Sequence, residues 1–161
     1  MFRFLPNFVG ARTAPLALRA AGVSIGTACM FFGFPKLSGP GDICSRLRIG
    51  EHCGFNFGCY FELDADITIM DHVAVGHEVM FLTRDHDTRD PERRAVPCGA
   101  RPIRVEAGAW LGSRCVIMPG VTIGAGSVVG ASVVVREDLP PNTLFMGSRR
   151  ISIAKWAARA T

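Results

Sequence analysis

The sequence predicts an all-β fold: a parallel β-helix of six-residue repeats, with short terminal helices and one extruded loop. Three observations in the stretch from Val105 to Val135 carry this. An aliphatic residue returns every six positions, at Val105, Leu111, Ile117, Ile123, Val129 and Val135. A small or β-branched residue follows four places after each of the first five, at Ala109, Cys115, Val121, Ser127 and Val133. Glycine recurs directly after the aliphatic position, at Gly112, Gly124 and Gly130, where a tight turn is expected. A period of six fits neither an α-helix nor an alternating strand. It fits a short strand plus a turn, with three such sides closing one rung of a prism. The aliphatic residue then points inward and the small residue fills the corner.

The chain is read as a single domain over residues 1–161, with an N-terminal cap at 1–24, a β-helix at 25–135 and a C-terminal cap at 136–161. Residues 11–21 (ARTAPLALRAA) read as a short helix stopped by Gly22, placed to cover the open strand edges of the first rung. The six-residue period begins at Ile25 and runs through Phe31, Leu37, Ile43, Ile49, Phe55 and Phe61. A slip of two residues near 64–68 precedes the next units at Ile69, Val75 and Phe81. Residues 82–104 contain no repeat and are polar and Pro-rich, as expected of a loop extruded from the prism. Such loops on rigid scaffolds usually carry function. After Val135 the repeats end, Asp138-Leu139-Pro140-Pro141-Asn142 forms a turn, and 152–160 reads as a terminal helix.

Composition narrows the function classes. A net charge of +4, without a Lys/Arg run and with one Tyr, gives no nucleic-acid signature. Of the six cysteines, Cys29, Cys53, Cys59 and Cys115 fall at the small corner position, as buried thiols in a reducing compartment do. There is no Cys-x-x-Cys, so no zinc site is expected from the cysteines. The apolar start, MFRFLPNFV, is too short and interrupted for a transmembrane span or a signal peptide. A cytoplasmic protein is expected.

Val121 to Ser132 (VTIGAGSVVGAS), followed by Asp138-Leu139-Pro140-Pro141-Asn142, resembles the C-terminal signature of the acetyl-CoA-dependent sugar O-acetyltransferases. That group includes the galactoside and maltose acetyltransferases and the polysaccharide O-acetyltransferases. The similarity runs from about Ile43 to Gly147. It implies a left-handed β-helix, acetyl-CoA as acyl donor, no metal, a carbohydrate acceptor, and a homotrimer with active sites at the subunit contacts.

The resemblance also assigns roles. His86, in LTRDHD at the start of the loop, matches the catalytic base, a role that suits imidazole near neutral pH. Asp85 or Asp87 is placed to orient its second nitrogen, or both are surface charges. Asn56 matches an Asn beside the acceptor and the acetyl group. Asp64 falls where the family has an acceptor-binding carboxylate, with Asp66 as competitor. Trp110, Ser113 and Ala131 match residues along the acetyl and pantetheine tunnel. For the nucleotide end the family's Thr-Lys pair is replaced by Arg136-Glu137, and the Gly-x-Pro-Ala loop by Gly147-Ser148-Arg149-Arg150. Arg136, Arg149 and Arg150 are the candidates for the phosphates.

Two other readings remain open. One is N-acetylation of an amino sugar nucleotide, which uses the same prism and a His. The other is a non-catalytic or metal-binding β-helix, for which His72, His77 and His86 superficially suggest a zinc set. His52, His72 and His77 otherwise occupy turn positions facing solvent.

Overall fold

A computed structural model describes residues 13–147 and 149–154, with the side chain of Arg149 excepted. Helix α1 (Thr13–Ala20) buries Ala14, Pro15 and Leu18 against the first rung and ends before Gly22, whose φ is +101°. The chain then winds through successive rungs, each laying one strand on each of three sheets. The first rung holds β1 (Ser24–Ile25), β2 (Met30–Phe31) and β3 (Lys36–Ser38), and the second β4 (Leu47–Ile49), β5 (Gly54–Phe55) and β6 (Tyr60–Glu62). The third holds β7 (Ile67–Ile69), β8 (Ala74–Val75) and β9 (Met80–Phe81). An antiparallel hairpin of β10 (Arg84–Asp87) and β11 (Val96–Ala100) interrupts the winding. The fourth rung has β12 (Ile103–Val105), β13 (Trp110–Leu111) and β14 (Val116–Ile117), and the fifth β15 (Thr122–Ile123), β16 (Val128–Val129) and β17 (Val134–Val135). The winding closes with β18 (Thr143–Met146) and β19 (Arg149–Ser152).

The first face stacks β1-β4-β7-β12-β15, the second β2-β5-β8-β13-β16-β18-β19, and the third β3-β6-β9-β14-β17. All pairings are parallel except β10 with β11 and β18 with β19. The register puts like on like: Ile49 over Ile25, Ile69 over Ile49, Val105 over Ile69, Ile123 over Val105. Inside the prism, Phe31 stacks on Phe55 at 4.4 Å and Phe61 on Phe81 at 4.6 Å. Each of these rings is fully buried, contributing about 1.5–3 kcal/mol by removal from water.

The structure corrects several expectations. Ile43 belongs to no rung. Ile25 pairs with Ile49, and Ile43 instead caps a short 3-10 turn, Cys44–Arg46. The expected loop at 82–104 is shorter, because Ile103 and Arg104 already pair with Ile67 and Thr68. The winding does not stop at Val135. Leu139 bridges to Ile123 and β18 pairs with β16, adding a partial sixth rung. The C-terminal cap is first a hairpin rather than a helix. Ser152 lies in β19, helical geometry begins only at Ile153 and Ala154, and the remainder of the expected helix lies outside the described residues.

The glycines after the aliphatic position serve close approach, not left-handed φ. A Cβ on Gly112 would lie 2.6 Å from the backbone N of Ala131, and one on Gly124 2.5 Å from that of Pro141. Left-handed residues stand two places later, in one column of Ala28, His52, His72, Gly108, Gly126 and Asn142 and, at the next corner, a second of Gly58, Glu78, Arg114 and Ser132.

The small corner residues are buried as expected. Burial pushes the thiols of Cys53 and Cys59 up to about 11 and that of Cys115 up to about 12. Cys98, on β11, is exposed.

Candidate active site

The predicted site residues fall at two corners of the prism, on either side of the third face. At the corner between the second and third faces, the turn after each second-face strand repeats rung by rung. Asn56 follows β5, Ser113 follows β13 and Ala131 follows β16. The backbone N–H of Asn56 donates to Val75, that of Gly112 to Val129, and that of Gly130 to Phe145. The corner is therefore a rigid parallel ladder. Asn56 also donates its side-chain amide to the Val75 carbonyl at 3.2 Å, leaving its own carbonyl oxygen to accept.

Trp110 stands outward on β13, 56% exposed. Together with Gly112, Ser113, Val128, Gly130, Ala131, Leu144, Met146 and Ile153, it lines a largely apolar groove of about 490 Å³. Trp110, Ser113 and Ala131 are thus brought together. Leu144, Met146 and Ile153 close the other wall and were missed, because Leu144 and Met146 lie between the expected turn and the expected helix, and Ile153 lies within that helix. Ser113 is held in place, its hydroxyl accepting the N–H of His77 at 3.2 Å.

The second cluster sits where the third face passes to the first. There the register slip and the hairpin lie one rung apart, joined by Thr83. Its hydroxyl is fully buried; it donates to the Glu62 carbonyl at 2.6 Å and accepts the N–H groups of Asp64 at 3.1 Å and Ala65 at 3.2 Å. Nothing in the sequence marked Thr83. Asp64 is only 10% exposed in its side chain and takes both Nε (2.9 Å) and Nη2 of Arg84. Asp66 pairs with Arg48.

His86 is exposed on β10, next to an irregularity in the hairpin between Asp85 and His86. Its Nδ1–H donates to the Ala95 carbonyl at 3.1 Å, which fixes the tautomer and leaves Nε2 bare to accept a proton. Neither neighbouring carboxylate performs that orientation. Asp85 pairs with Arg101 at 2.7 Å. Asp87 pairs with Arg89, whose guanidinium holds its carboxyl below the usual carboxylate range.

The candidates for phosphate binding divide. Arg136 follows β17 at the corner away from the groove and does not line it. Arg150 is engaged by Glu137 and lies 5.7 Å over the Phe145 ring. The Arg149 side chain lies outside the described residues. The metal alternative finds no cluster. His72 stacks on His52 and His77 on Phe57, and among the described residues no three His, Cys, Asp or Glu side chains are grouped to hold an ion.

Comparison with known proteins follows the same lines. The family description "Bacterial transferase hexapeptide (six repeats)" matches residues 102–137. A putative acetyltransferase of Schizosaccharomyces pombe is 40% identical over 110 residues, covering 68% of this chain and 53% of that protein. The galactoside O-acetyltransferase of Escherichia coli is 35% identical over 103 residues, covering 64% and 51%. The chain spans about half the length of these curated relatives. Among solved structures, a hexapeptide-repeat acetyltransferase from Vibrio cholerae superposes with a TM-score of 0.77 at 33% identity, covering 89% of this chain and 79% of that one. The same protein has been crystallised with acetyl coenzyme A.

Proposed function

This chain belongs to the hexapeptide-repeat acetyltransferase family, and from that membership we propose that it transfers an acetyl group from acetyl-CoA to a hydroxyl of a sugar or glycan. The observation that carries the reading is the groove in which Trp110, Ser113 and Ala131 meet. Its apolar wall suits the pantetheine arm and the acetyl methyl. The parallel ladder at its edge presents turn backbone groups to the pantetheine amides.

In the proposed step, Nε2 of His86 takes the proton of the acceptor hydroxyl as its oxygen attacks the thioester carbonyl. A backbone N–H at the groove stabilises the developing oxyanion. The CoA thiolate leaves and receives the proton back from the imidazolium. The hairpin carrying His86 and the groove stand at different corners of one prism. A homotrimer, in which one copy's hairpin meets the next copy's groove, brings them together. Asn56 and Asp64 are proposed to contact the acceptor, with Arg84 fixing the Asp64 carboxylate, in a cytoplasmic enzyme.

The test is CoA thiol release from acetyl-CoA against sugars, amino sugars and short glycans. Release that requires a hydroxyl acceptor and drops by about 10²- to 10⁴-fold in His86→Ala is expected. Release that requires an amine acceptor would favour the N-acetylation reading. No release with any acceptor, and no binding of acetyl-CoA, would overturn both.

A further inference from the structure

The corner between the second and third faces carries a column of residues at the second position of each turn. Rung by rung it reads Gly33, Phe57, His77, Ser113 and Ala131. The column changes character halfway. Phe57 and His77 are rings, whereas Ser113 and Ala131 are small and line the groove beside Trp110. Neighbouring strands of a ladder stand about 4.8 Å apart. His77 therefore begins one strand spacing beyond the Ser113 end of the groove, on the side where Asn56 lies.

The backbone of His77 is fixed there. Its N–H donates to the Ser113 hydroxyl at 3.2 Å, and its carbonyl accepts the N–H of Arg114 at 2.7 Å. Its ring is backed from the far side. It stacks on Phe57, with centroids 6.2 Å apart and 23° between the planes. Phe57 is wedged in turn. Its ring lies 6.4 Å from that of Phe32, and a Cβ on Gly33 would stand 2.8 Å from its Cδ1. Glycine at 33 admits the Phe57 ring to the corner, and the close backbone leaves that ring little room to retreat. On the groove side the next residue of the column is only a serine, so the exposed imidazole is the first bulky group there beyond Ser113.

We propose that His77 is the stop at the acyl end of the groove and selects acetyl over longer acyl groups. The inference rests on the acyl-transfer reading for the direction of the donor. With the acceptor held at Asn56, the thioester lies at the Asn56 end of the groove, next to Ser113. An acetyl methyl there meets the His77 ring, and each further methylene must displace a ring that Phe57 backs. A packed wall resists such an addition. One methylene is worth about 10- to 200-fold in discrimination at a pocket of this kind.

The test is calorimetric binding of CoA, acetyl-CoA, butyryl-CoA and hexanoyl-CoA to the full chain, with no acceptor present. The wild-type protein is expected to bind acetyl-CoA about tenfold or more tightly than butyryl-CoA. His77→Ala should close most of that gap by improving butyryl-CoA binding. His77→Phe keeps a ring but removes its nitrogens, and should keep the gap. Both variants retain the backbone hydrogen bond to Ser113, and circular dichroism checks that they fold. Equal affinities in the wild-type protein, an unchanged gap in folded His77→Ala, or a gap lost in folded His77→Phe would overturn the proposal. The expected gaps without transfer to any acceptor would leave the stop standing and overturn the acyl-transfer reading alone. No binding of any of these four probes by the wild-type protein would overturn both.

Discussion

Replacing Thr83 by Val tests how the hairpin is anchored. The substitution keeps shape and volume and removes one hydroxyl with no exposed surface. That hydroxyl serves three backbone groups: the Glu62 carbonyl and the N–H groups of Asp64 and Ala65. A buried backbone group left without a partner costs about 1–3 kcal/mol. Water can reach part of the Asp64–Ala65 turn, since both residues are only half-buried. We therefore expect a loss of about 2–4 kcal/mol rather than three full penalties. For a chain of this size that is a fall in Tm of about 5–15 °C. Thr83→Ser keeps all three hydrogen bonds and removes one methyl, so it should lose only about 1 kcal/mol. The assay is urea unfolding of the three proteins, compared at constant m. A Thr83→Val protein within about 0.5 kcal/mol of wild type would refute the argument that this hydroxyl ties the register slip to the hairpin.

Two other perturbations read the prism itself. Gly112→Ala places a Cβ 2.6 Å from the backbone N of Ala131, and an atom in a ladder cannot step aside. A loss of about 1–3 kcal/mol in thermal unfolding is expected, whereas Gly54→Ala, where a Cβ meets nothing within 4 Å, should leave the core packing intact. The buried thiols make stability depend on pH on the alkaline side. Their folded values, about 11 for Cys53 and Cys59 and about 12 for Cys115, lie above the ordinary 9.0. The unfolded chain therefore gives up these protons first, and their stabilisation is complete below pH 9 and lost as pH rises above it. At pH 10 each thiol accounts for about 1.4 kcal/mol relative to pH 8. Unfolding titrations of Cys115→Val should show a shallower decline by about that amount; an unchanged slope would contradict it.

The interior was legible because its signal is periodic and unbroken: Val105 to Val135 has one inward residue per side and no interruption. The excursions were legible only when their length broke the period. The two-residue slip before Ile69 did so and was found. The excursion through 39–46 inserts six residues between β3 and β4, where the spacing from Leu37 to Ile49 is a multiple of six. Ile43 therefore kept perfect phase while lying in a 3-10 turn. Gly39 and Gly41, with φ of +147° and +64°, were the local signs against a rung there. The hairpin β18–β19 escaped because Leu139 follows Val135 by four residues and so breaks the phase, although Phe145 then follows Leu139 by six. Site residues inherited through the repeat phase, Trp110, Ser113 and Ala131, fell into one groove, since phase alone sets which corner they occupy. The electrostatic partners depended on chain paths that phase does not specify. Hence Asp85 and Asp87 went to Arg101 and Arg89, and the orienting group on His86 proved to be the Ala95 carbonyl.

The separation of His86 from the groove leads to a test that does not require knowing the acceptor's full identity. If each site joins one copy's hairpin to another copy's groove, two inactive proteins should restore one another. His86→Ala removes the proposed base and leaves the groove. Ala131→Trp fills the groove, since Ala131 is exposed on its wall, and leaves the hairpin untouched. Each variant alone is expected to show almost no thiol release. After unfolding and refolding together in equal amounts, a random assembly gives each interface about one chance in four of pairing an intact hairpin with an intact groove. About a quarter of wild-type activity should therefore return, with the acetyl-CoA KM of the wild-type protein. A site completed within one chain gives no intact site in any mixture, so no activity beyond the sum of the two variants would refute the intersubunit arrangement while leaving the acetyl-transfer chemistry standing.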